Sequence, residues 1–123
     1  MKKKLIGLAM ATALTIGTGI VSAEQATLMK PIGTFEITAY SYHEGNGENY
    51  RTASQRTPEP YYSVAVDPDV IPLGTHLYIE GIGEVRADDT GGAVQGNVID
   101  YHVGFDETDS FGRQEREVYV IPK

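Results

Sequence analysis

Three aspartates are the residues of this 123-residue chain best suited to do chemistry. They are Asp67, at the end of an apolar run, Asp89, at the start of Asp-Thr-Gly-Gly, and Asp100, between Ile99 and Tyr101. Apolar surroundings disfavour an ionised carboxyl and raise its pKa, and a second carboxylate nearby raises it further. A carboxyl with a raised pKa can donate a proton near neutral pH. The pattern therefore predicts an acid/base site centred on Asp100.

Each aspartate also has a structural interpretation. Asp67 precedes a proline, a common turn arrangement, and Asp89 can close an Asx turn with the glycines that follow. Asp100 is the hardest to explain as a turn residue, because it lies inside an apolar segment. Asp88 should face away from Asp89 if the strand continues, so we expect Asp88 to be solvated.

Other catalytic chemistries lack their residues in this sequence. There is no cysteine, which excludes thiol nucleophiles, cysteine metal sites and disulfides. His43, His76 and His102 have no metal-ligand spacing, and neither a nucleophile elbow nor a phosphate loop is present. We expect no metal and no cofactor. His102 shares a strand face with Asp100 and is interpreted either as a site residue or as an exposed strand histidine.

Short strands separated by glycine-rich turns must position these acids. Strands are predicted at 33–39, 62–66, 77–80, 84–88, 97–103 and 117–121, with a tight hairpin at 81–83. A single helical turn is predicted between Asp106 as N-cap and Gly112 as C-terminal stop. The segment 42–60 is polar, contains glycine and proline, and is predicted to be a long loop that lines a site.

This pattern indicates an all-β fold of six or more strands with at most one short helix. A barrel and a sandwich both fit. A closed barrel would also hide the edges that such short strands otherwise expose.

The N-terminus has the features of a secretory signal peptide. A lysine-rich start precedes an uncharged run from Leu5 to Val21, and small residues lead to a cleavage site after Ala23. A membrane anchor is the alternative, but the run is interrupted by Gly and Thr and is short for a span. We therefore expect a signal peptide at 1–23, a short tether at 24–32 and one domain at 33–123.

Charge limits the partners of the mature chain. Removal of three lysines with the signal peptide leaves seven basic residues against seventeen acidic ones, a net charge of −10. Such an acidic surface argues against nucleic acid and anionic membranes as partners, and it allows an uncharged glycan. The sequence does not indicate an oligomeric state.

Three segments together resemble the three-aspartate (3D) domain, a family of secreted bacterial cell-wall proteins that includes stationary-phase muralytic factors. The segments are Thr38-Ala39-Tyr40, the run from Val64 to Thr75, and the run from Ala87 to Asp100. The closing Phe-Gly-Arg at 111–113 and the final strand also match, so the resemblance covers residues 35–121. The family is similar to the catalytic domain of the MltA class of lytic transglycosylases.

The resemblance implies a double-psi β-barrel that cleaves the β-1,4 bond between N-acetylmuramic acid and N-acetylglucosamine in peptidoglycan. The product would carry a 1,6-anhydromuramic end. Asp100 falls on the family's acid/base position, Asp89 on the supporting carboxylate, and Asp67 on the third aspartate. The implied partner is the glycan strand, and the implied location is outside the cell at the wall.

Seven further residues are expected to contact the sugar. The backbone N–H groups of the paired glycines can bind its polar atoms, and two tyrosines can form aromatic walls, although packing explains the tyrosines equally well. The set is Thr38, Tyr40, Thr90, Gly91, Gly92, Asn97 and Tyr101.

The sequence departs from the family where Gln95 replaces a common lysine and where the 42–60 loop lacks the usual cysteine pair. A non-catalytic glycan-binding barrel, similar to expansin-like modules, is the alternative function. A small partner or regulator of another hydrolase is a third possibility.

Overall fold

The computed structural model describes residues 14–16, 19–41 and 50–123. Within these ranges the chain forms eight strands and two short helices. In chain order they are β1 (Leu14–Ile16), β2 (Gly19–Val21), α1 (Ala23–Leu28), β3 (Lys30–Tyr40), β4 (Ser63–Ala65), β5 (His76–Ile79), β6 (Gly83–Asp89), β7 (Val98–His102), α2 (Thr108–Phe111) and β8 (Gln114–Ile121). Neither helix is long and apolar enough to cross a membrane.

Six of the described strands close into a barrel in the order β3-β7-β4-β6-β5-β8. The pairs β3–β7 and β4–β6 are parallel, whereas the other neighbours run antiparallel. Closure leaves no free sheet edge in the barrel, which is how such short strands satisfy their backbone groups. The strands β1 and β2 form a separate antiparallel pair.

The period of two along each strand separates the core from the outer face. On β7, Ile99 and Tyr101 belong to the buried apolar core, and the residues between and after them, Asp100 and His102, face outward. The same core takes Phe35 from β3, and further side chains from every barrel strand: Ile37, Val64, Leu77, Ile79, Val85, Ala87 and Val118. Asp100 therefore lies on the outer face of the barrel.

The all-β barrel with at least six strands is confirmed, and its double-psi character stays a prediction. One part of the fold prediction is wrong, because the described residues contain two helices rather than at most one. The additional helix, α1, and the first residues of β3 occupy the segment 24–32, which the sequence analysis assigned to a short tether.

The second helix is shorter than predicted. It begins after Glu107, whose side chain makes no cap hydrogen bond, so Asp106 is not its N-cap. Gly112 does end it, as predicted, with a φ of 66° that a glycine adopts without strain. β8 then starts at Gln114, three residues earlier than the sequence pattern indicated.

Candidate functional site

Asp100 is a half-buried carboxyl on the outer face of β7. The hydroxyl of Thr38 on the neighbouring strand β3 donates a hydrogen bond to its Oδ1 at 2.9 Å. Burial raises the pKa of Asp100, and the hydrogen bond from Thr38 acts in the opposite direction. The expected upward shift is therefore present. Its cause is burial, and the carboxylate of Asp89 is not among the causes.

The barrel register brings the candidate acids into one row. Asp100 pairs with Thr38 on one side and with Ala65 of β4 on the other, and Ala65 also pairs with Asp89 of β6. Residues in register on adjacent strands face the same way. Asp89 and Asp100 thus share the outer face, with α-carbons two strand spacings, or roughly 10 Å, apart.

A β-bulge at Asp88 turns Asp89 to the outer face. Val64 of β4 pairs with Ala87 of β6, but the next residue, Ala65, pairs with Asp89, so Asp88 is the extra residue. Without the bulge, Asp89 would face the core together with Ala87. The bulge is the local feature that brings Asp89 into the row with Asp100.

The carboxylate of Asp89 holds two loops. Its Oδ1 accepts hydrogen bonds from the backbone N–H groups of Ala53 at 3.0 Å and Thr90 at 2.9 Å, and its Oδ2 accepts one from the Tyr50 hydroxyl at 3.1 Å. Asp89 is itself only 5% exposed. These bonds fix the start of the described 50–60 segment against the barrel.

Asp88 is buried, and the expectation that it is solvated is wrong. Its side chain is fully buried, accepts hydrogen bonds from Arg86 at 2.5 and 3.0 Å, and accepts another from Ser63 at 2.6 Å. Its backbone carbonyl accepts from the N–H of Ser54. The expectation from strand direction failed for two reasons. The bulge interrupts the alternation of side-chain directions between Asp88 and Asp89, and the 50–60 segment covers this part of the outer face.

Asp67 occupies a different environment from Asp100. Its Oδ2 accepts the backbone N–H of Gly96 at 2.8 Å, and its Oδ1 accepts that of Asp69 at 3.0 Å. These two hydrogen bonds, the one from Gly96 first, lower the pKa of Asp67. A lowered pKa suits a permanent carboxylate that closes the loop before β7, and it is the opposite of what a proton donor needs.

A cleft of about 290 Å³ opens beside Asp100. Its walls come from β3, from the glycine-rich loop, from β7, and from the residue before β8. The lining residues are Glu36, Thr38, Ala39, Ala93, Val94, Val98, Asp100 and Arg113.

The prediction missed two charged residues of this cleft, Glu36 and Arg113. The guanidinium of Arg113 donates a hydrogen bond to the carboxylate of Glu36. The signal was present in the sequence, because Glu36 lies two residues before Thr38 and must share its strand face. For Arg113, the only sequence signal of a functional role was its place in the Phe-Gly-Arg match at 111–113.

Of the residues predicted to contact the sugar, Thr38 lines the cleft and the others lie outside its lining. Thr38 lines the cleft, whereas Thr90, Gly92 and Asn97 are exposed on the loop around it. A side chain at Gly91 would lie 3.1 Å from Cγ2 of Val94, so glycine permits close packing there. The structure thus places the glycine-rich loop at the cleft through Ala93 and Val94 rather than through the paired glycines.

Neither tyrosine among the predicted contacts lines this cleft. Tyr101 is 6% exposed and packs against Tyr61 and Phe111 in the core, where burial raises its pKa to about 12. Tyr40 stacks on His102, with ring centroids 5.2 Å apart. The interpretation of His102 as an exposed histidine is wrong, because it is 2% exposed and burial lowers its pKa.

Together these features define a small all-β barrel that carries a half-buried carboxyl with a raised pKa in a surface cleft. The described residues contain no group of three or more histidine, aspartate or glutamate side chains that could hold a metal ion. Residues 62–122 match the family described as 3D domain. The chain therefore carries a domain of the 3D family, and the resemblance seen in its sequence is confirmed.

Two curated proteins of Bacillus subtilis (strain 168) are similar in sequence. The cell wall-binding protein YocH is 46% identical over 72 residues, which cover 57% of this chain and 25% of YocH. The putative cell wall shaping protein YabE is 57% identical over 37 residues, 30% of this chain and 9% of YabE. The chain thus spans a quarter or less of the length of these relatives.

The solved structure of MltA from E. coli is similar in fold. It aligns with a TM-score of 0.53 and 25% identity, over 60% of this chain and 28% of MltA. A structure of E. coli MltA with bound chitohexaose aligns with a TM-score of 0.52 at 24% identity and shows the same fold relationship. The shared part is again about a quarter of the larger protein.

Proposed function

We propose that this chain is a secreted lytic transglycosylase that cleaves the β-1,4 bond between N-acetylmuramic acid and N-acetylglucosamine in peptidoglycan, with Asp100 as its acid/base. One observation carries the proposal: a half-buried carboxyl with a raised pKa lies in a surface cleft of about 290 Å³. A general role in the cell wall is supported by relatives named for wall binding and wall shaping and by a structural neighbour named as a lytic transglycosylase.

Asp100 would act in two steps on one bond. Protonated Asp100 donates its proton to the glycosidic oxygen as the bond from C1 of the muramic residue to that oxygen breaks. The resulting carboxylate then accepts the proton of the C6 hydroxyl as O6 bonds to C1. The products are a free 4-hydroxyl and a 1,6-anhydromuramic end, and water is not consumed. One carboxyl suffices, unlike in glycosidases that divide the work between two.

The neighbours of Asp100 would tune and position it. Thr38 orients one carboxylate oxygen, and its hydrogen bond keeps the pKa from rising as far as burial alone would take it. Asp89 and Asp67 act at a distance, since they accept the backbone N–H groups of Thr90 and Gly96, which belong to the glycine-rich loop that borders the cleft. In this proposal both are positioning residues, and Asp100 alone transfers the proton.

The test is digestion of purified peptidoglycan with mass analysis of the soluble fragments. We expect anhydromuropeptides from the parent protein and none from Asp100→Asn, with Asp109→Asn, an exposed acid, as the matched control. Reducing ends in place of anhydro ends would replace transglycosylation by hydrolysis. Unchanged release by Asp100→Asn would refute the role of Asp100.

The melting temperature shows whether Asp100→Asn still folds. Because the folded pKa of Asp100 is raised, its stabilising contribution is present at low pH and is lost as pH rises through that pKa. The neutral asparagine avoids this loss. The variant should therefore melt at or above the parent temperature at pH 7, which separates loss of chemistry from loss of fold.

A non-catalytic wall-binding barrel is the second candidate. The observation that favours it is the name of a sequence relative, the cell wall-binding protein YocH. In that case the protein would sediment with insoluble peptidoglycan and release no fragments, and Asp100→Asn would leave sedimentation unchanged. A requirement for Asp100 in fragment release would exclude this second function.

A further inference from the structure

We propose that Arg113 is a specificity residue that binds a carboxylate of the wall glycan next to the cleavage site. The inference deepens the proposed function and rests on it for the placement of the muramic sugar. Arg113 is the one cation among the residues that line the described cleft beside Asp100. It has no role in the proton transfer itself.

The barrel register places Arg113 beside the acid/base. In the antiparallel pair of β3 and β8, Ile37 is opposite Gln114, so extension by one residue sets Thr38 opposite Arg113. Thr38 is in turn in register with Asp100 on its other side. Arg113, Thr38 and Asp100 therefore form one row across three neighbouring chain segments. The α-carbons at its ends are about 10 Å apart.

The positive φ of Gly112 allows the backbone to turn from α2 toward β8 just before Arg113. The backbone N–H of Gly112 bonds to the carbonyl of Thr108 and ends α2, and its φ of 66° redirects the chain into β8. Arg113 follows Gly112 directly. Because the helix ends at Gly112, the side chain of Arg113 lies at the cleft.

The guanidinium of Arg113 is bonded to Glu36 but keeps further N–H donors for a ligand. Its side chain is 72% exposed and that of Glu36, its partner, is 38% exposed. Such an exposed pair contributes little to stability, so it can open at low cost. An arginine has five N–H donors in a planar fork, and Nη1 is the donor to Glu36. The remaining donors suit a second carboxylate, which arginine binds in a bidentate manner.

The chemistry of the substrate supplies such a carboxylate. N-acetylmuramic acid differs from N-acetylglucosamine by a 3-O-lactyl group that ends in a carboxyl. If the C1 atom of the muramic residue lies at Asp100, this group lies within one sugar ring of the cleft wall. The carboxylate is that of the lactyl group in peptide-free strands, or one on the stem peptide where the lactyl group is amidated. Arg113 would thus distinguish wall glycan from an uncharged chitin-type glycan.

Binding by the non-cleaving Asp100→Asn protein tests this inference independently of catalysis. NMR titration would compare N-acetylmuramic acid with its lactyl methylamide and with N-acetylglucosamine. We expect the acid to bind about tenfold more tightly than the amide, as a charge-assisted hydrogen bond implies. An added Arg113→Gln change should abolish this preference. Arg116→Gln is the matched control, since Arg116 contacts Gln114 and lies over Gly81, outside the cleft lining.

A second variant should act in the opposite direction. Glu36→Gln removes the carboxylate that competes for the guanidinium, so the acid should bind more tightly than to Asp100→Asn alone. Unchanged or weaker binding would count against a guanidinium shared between Glu36 and ligand. Equal affinity for acid and amide, or a preference that survives Arg113→Gln, would overturn the assignment of Arg113.

Kinetics with three substrates identify the source of the carboxylate. Peptide-free strands, the same strands with amidated lactyl groups, and intact peptidoglycan would be digested by parent and Arg113→Gln proteins. A rise in KM with little change in kcat on peptide-free strands alone assigns the lactyl carboxylate, and a rise on intact peptidoglycan assigns the stem peptide. If no substrate is cleaved but the preference for the acid persists in binding, the transglycosylase proposal fails, and the assignment of Arg113 as the carboxylate-binding residue of the cleft stands without it.

Discussion

At the level of single residues, the chemical character of Asp100 comes from its place on a strand. Its neighbours in sequence are Ile99 and Tyr101, which enter the core, so Asp100 must face outward. Partial burial on that face raises its pKa, and Thr38 provides a hydrogen bond to the ionised form. These two opposing effects set the pH at which the carboxyl changes from proton donor to proton acceptor.

Replacement of Thr38 by valine should raise the pKa of Asp100 further. The hydroxyl of Thr38 stabilises the carboxylate, and valine removes that bond while it keeps the shape of the side chain. NMR titration of carboxyl carbons in labelled protein measures the shift directly. Thr34→Val is the matched control, because Thr34 bonds to Glu117 instead. A lower or unchanged pKa would show that the Thr38 contact does not govern Asp100.

At the level of elements, the bulge in β6 organises the contacts between the barrel and the 50–60 segment. It places two consecutive acids against the 50–60 segment: the backbone carbonyl of Asp88 accepts the N–H of Ser54, and the carboxylate of Asp89 accepts that of Ala53. Arg86 stacks on the Tyr62 ring at 4.8 Å. The residues 42–49 of the predicted long loop lie outside the described residues. The 50–60 segment is described: it has no helix or strand, as predicted, it is hydrogen-bonded to β6 through Ser54 and Asp88, and none of its residues lines the described cleft.

Replacement of Asp88 by asparagine should destabilise the domain by about 3–5 kcal/mol, because the largely buried guanidinium of Arg86 then has only the exposed and more distant carboxylate of Glu59 as a charged partner. Urea unfolding measures the loss, with the exposed Asp106→Asn as control. The double change Arg86→Met/Asp88→Leu should recover part of the stability, since it removes both buried charges. A loss below about 1 kcal/mol for Asp88→Asn would mean that the pair contributes no more than a surface ion pair.

At the level of the whole molecule, the barrel closes without the first residues of the chain. Its ladder runs from β3, which begins at Lys30, to β8. The N-terminal residues Val21, Ala26 and Met29 form a second apolar cluster with Tyr78 and Ile121 on the outside of this ladder. Ser22 caps α1 by accepting the N–H of Gln25 at 3.1 Å. Signal cleavage after Ala23 would remove this cap.

The exported protein should begin at Glu24, which intact-mass measurement of the secreted chain would check. Loss of the Ser22 cap costs the helix about 0.5–2 kcal/mol, so backbone amides of α1 should exchange faster in the chain that starts at Glu24 than in the full chain. Barrel amides such as that of Ile99 should exchange at the same rate in both chains. Faster exchange throughout the barrel would show that the N-terminal residues are an integral part of the fold.

Local patterns in the sequence determined the class of fold and the leading acid. Alternation at 33–39 and 97–103, together with glycine at the turns, predicted most of the barrel strands. The position of Asp100 between two apolar residues of one strand was enough to single it out among the acids. The strand pattern and the outward direction of Asp100 are confirmed because side-chain direction along a regular strand follows from a period of two, and the catalytic role of Asp100 stays a prediction.

The tertiary structure alone decided what surrounds that acid. The bulge at Asp88 shifts the register by one residue, and no local rule predicts where a strand will bulge. The burial of Asp88 and His102 depends on what covers the outer face of the barrel. Glu36 and Arg113 reach the same cleft only because β3, β7 and β8 are neighbours in the closed sheet. Contacts between residues distant in sequence depend on strand order, which a linear pattern does not contain.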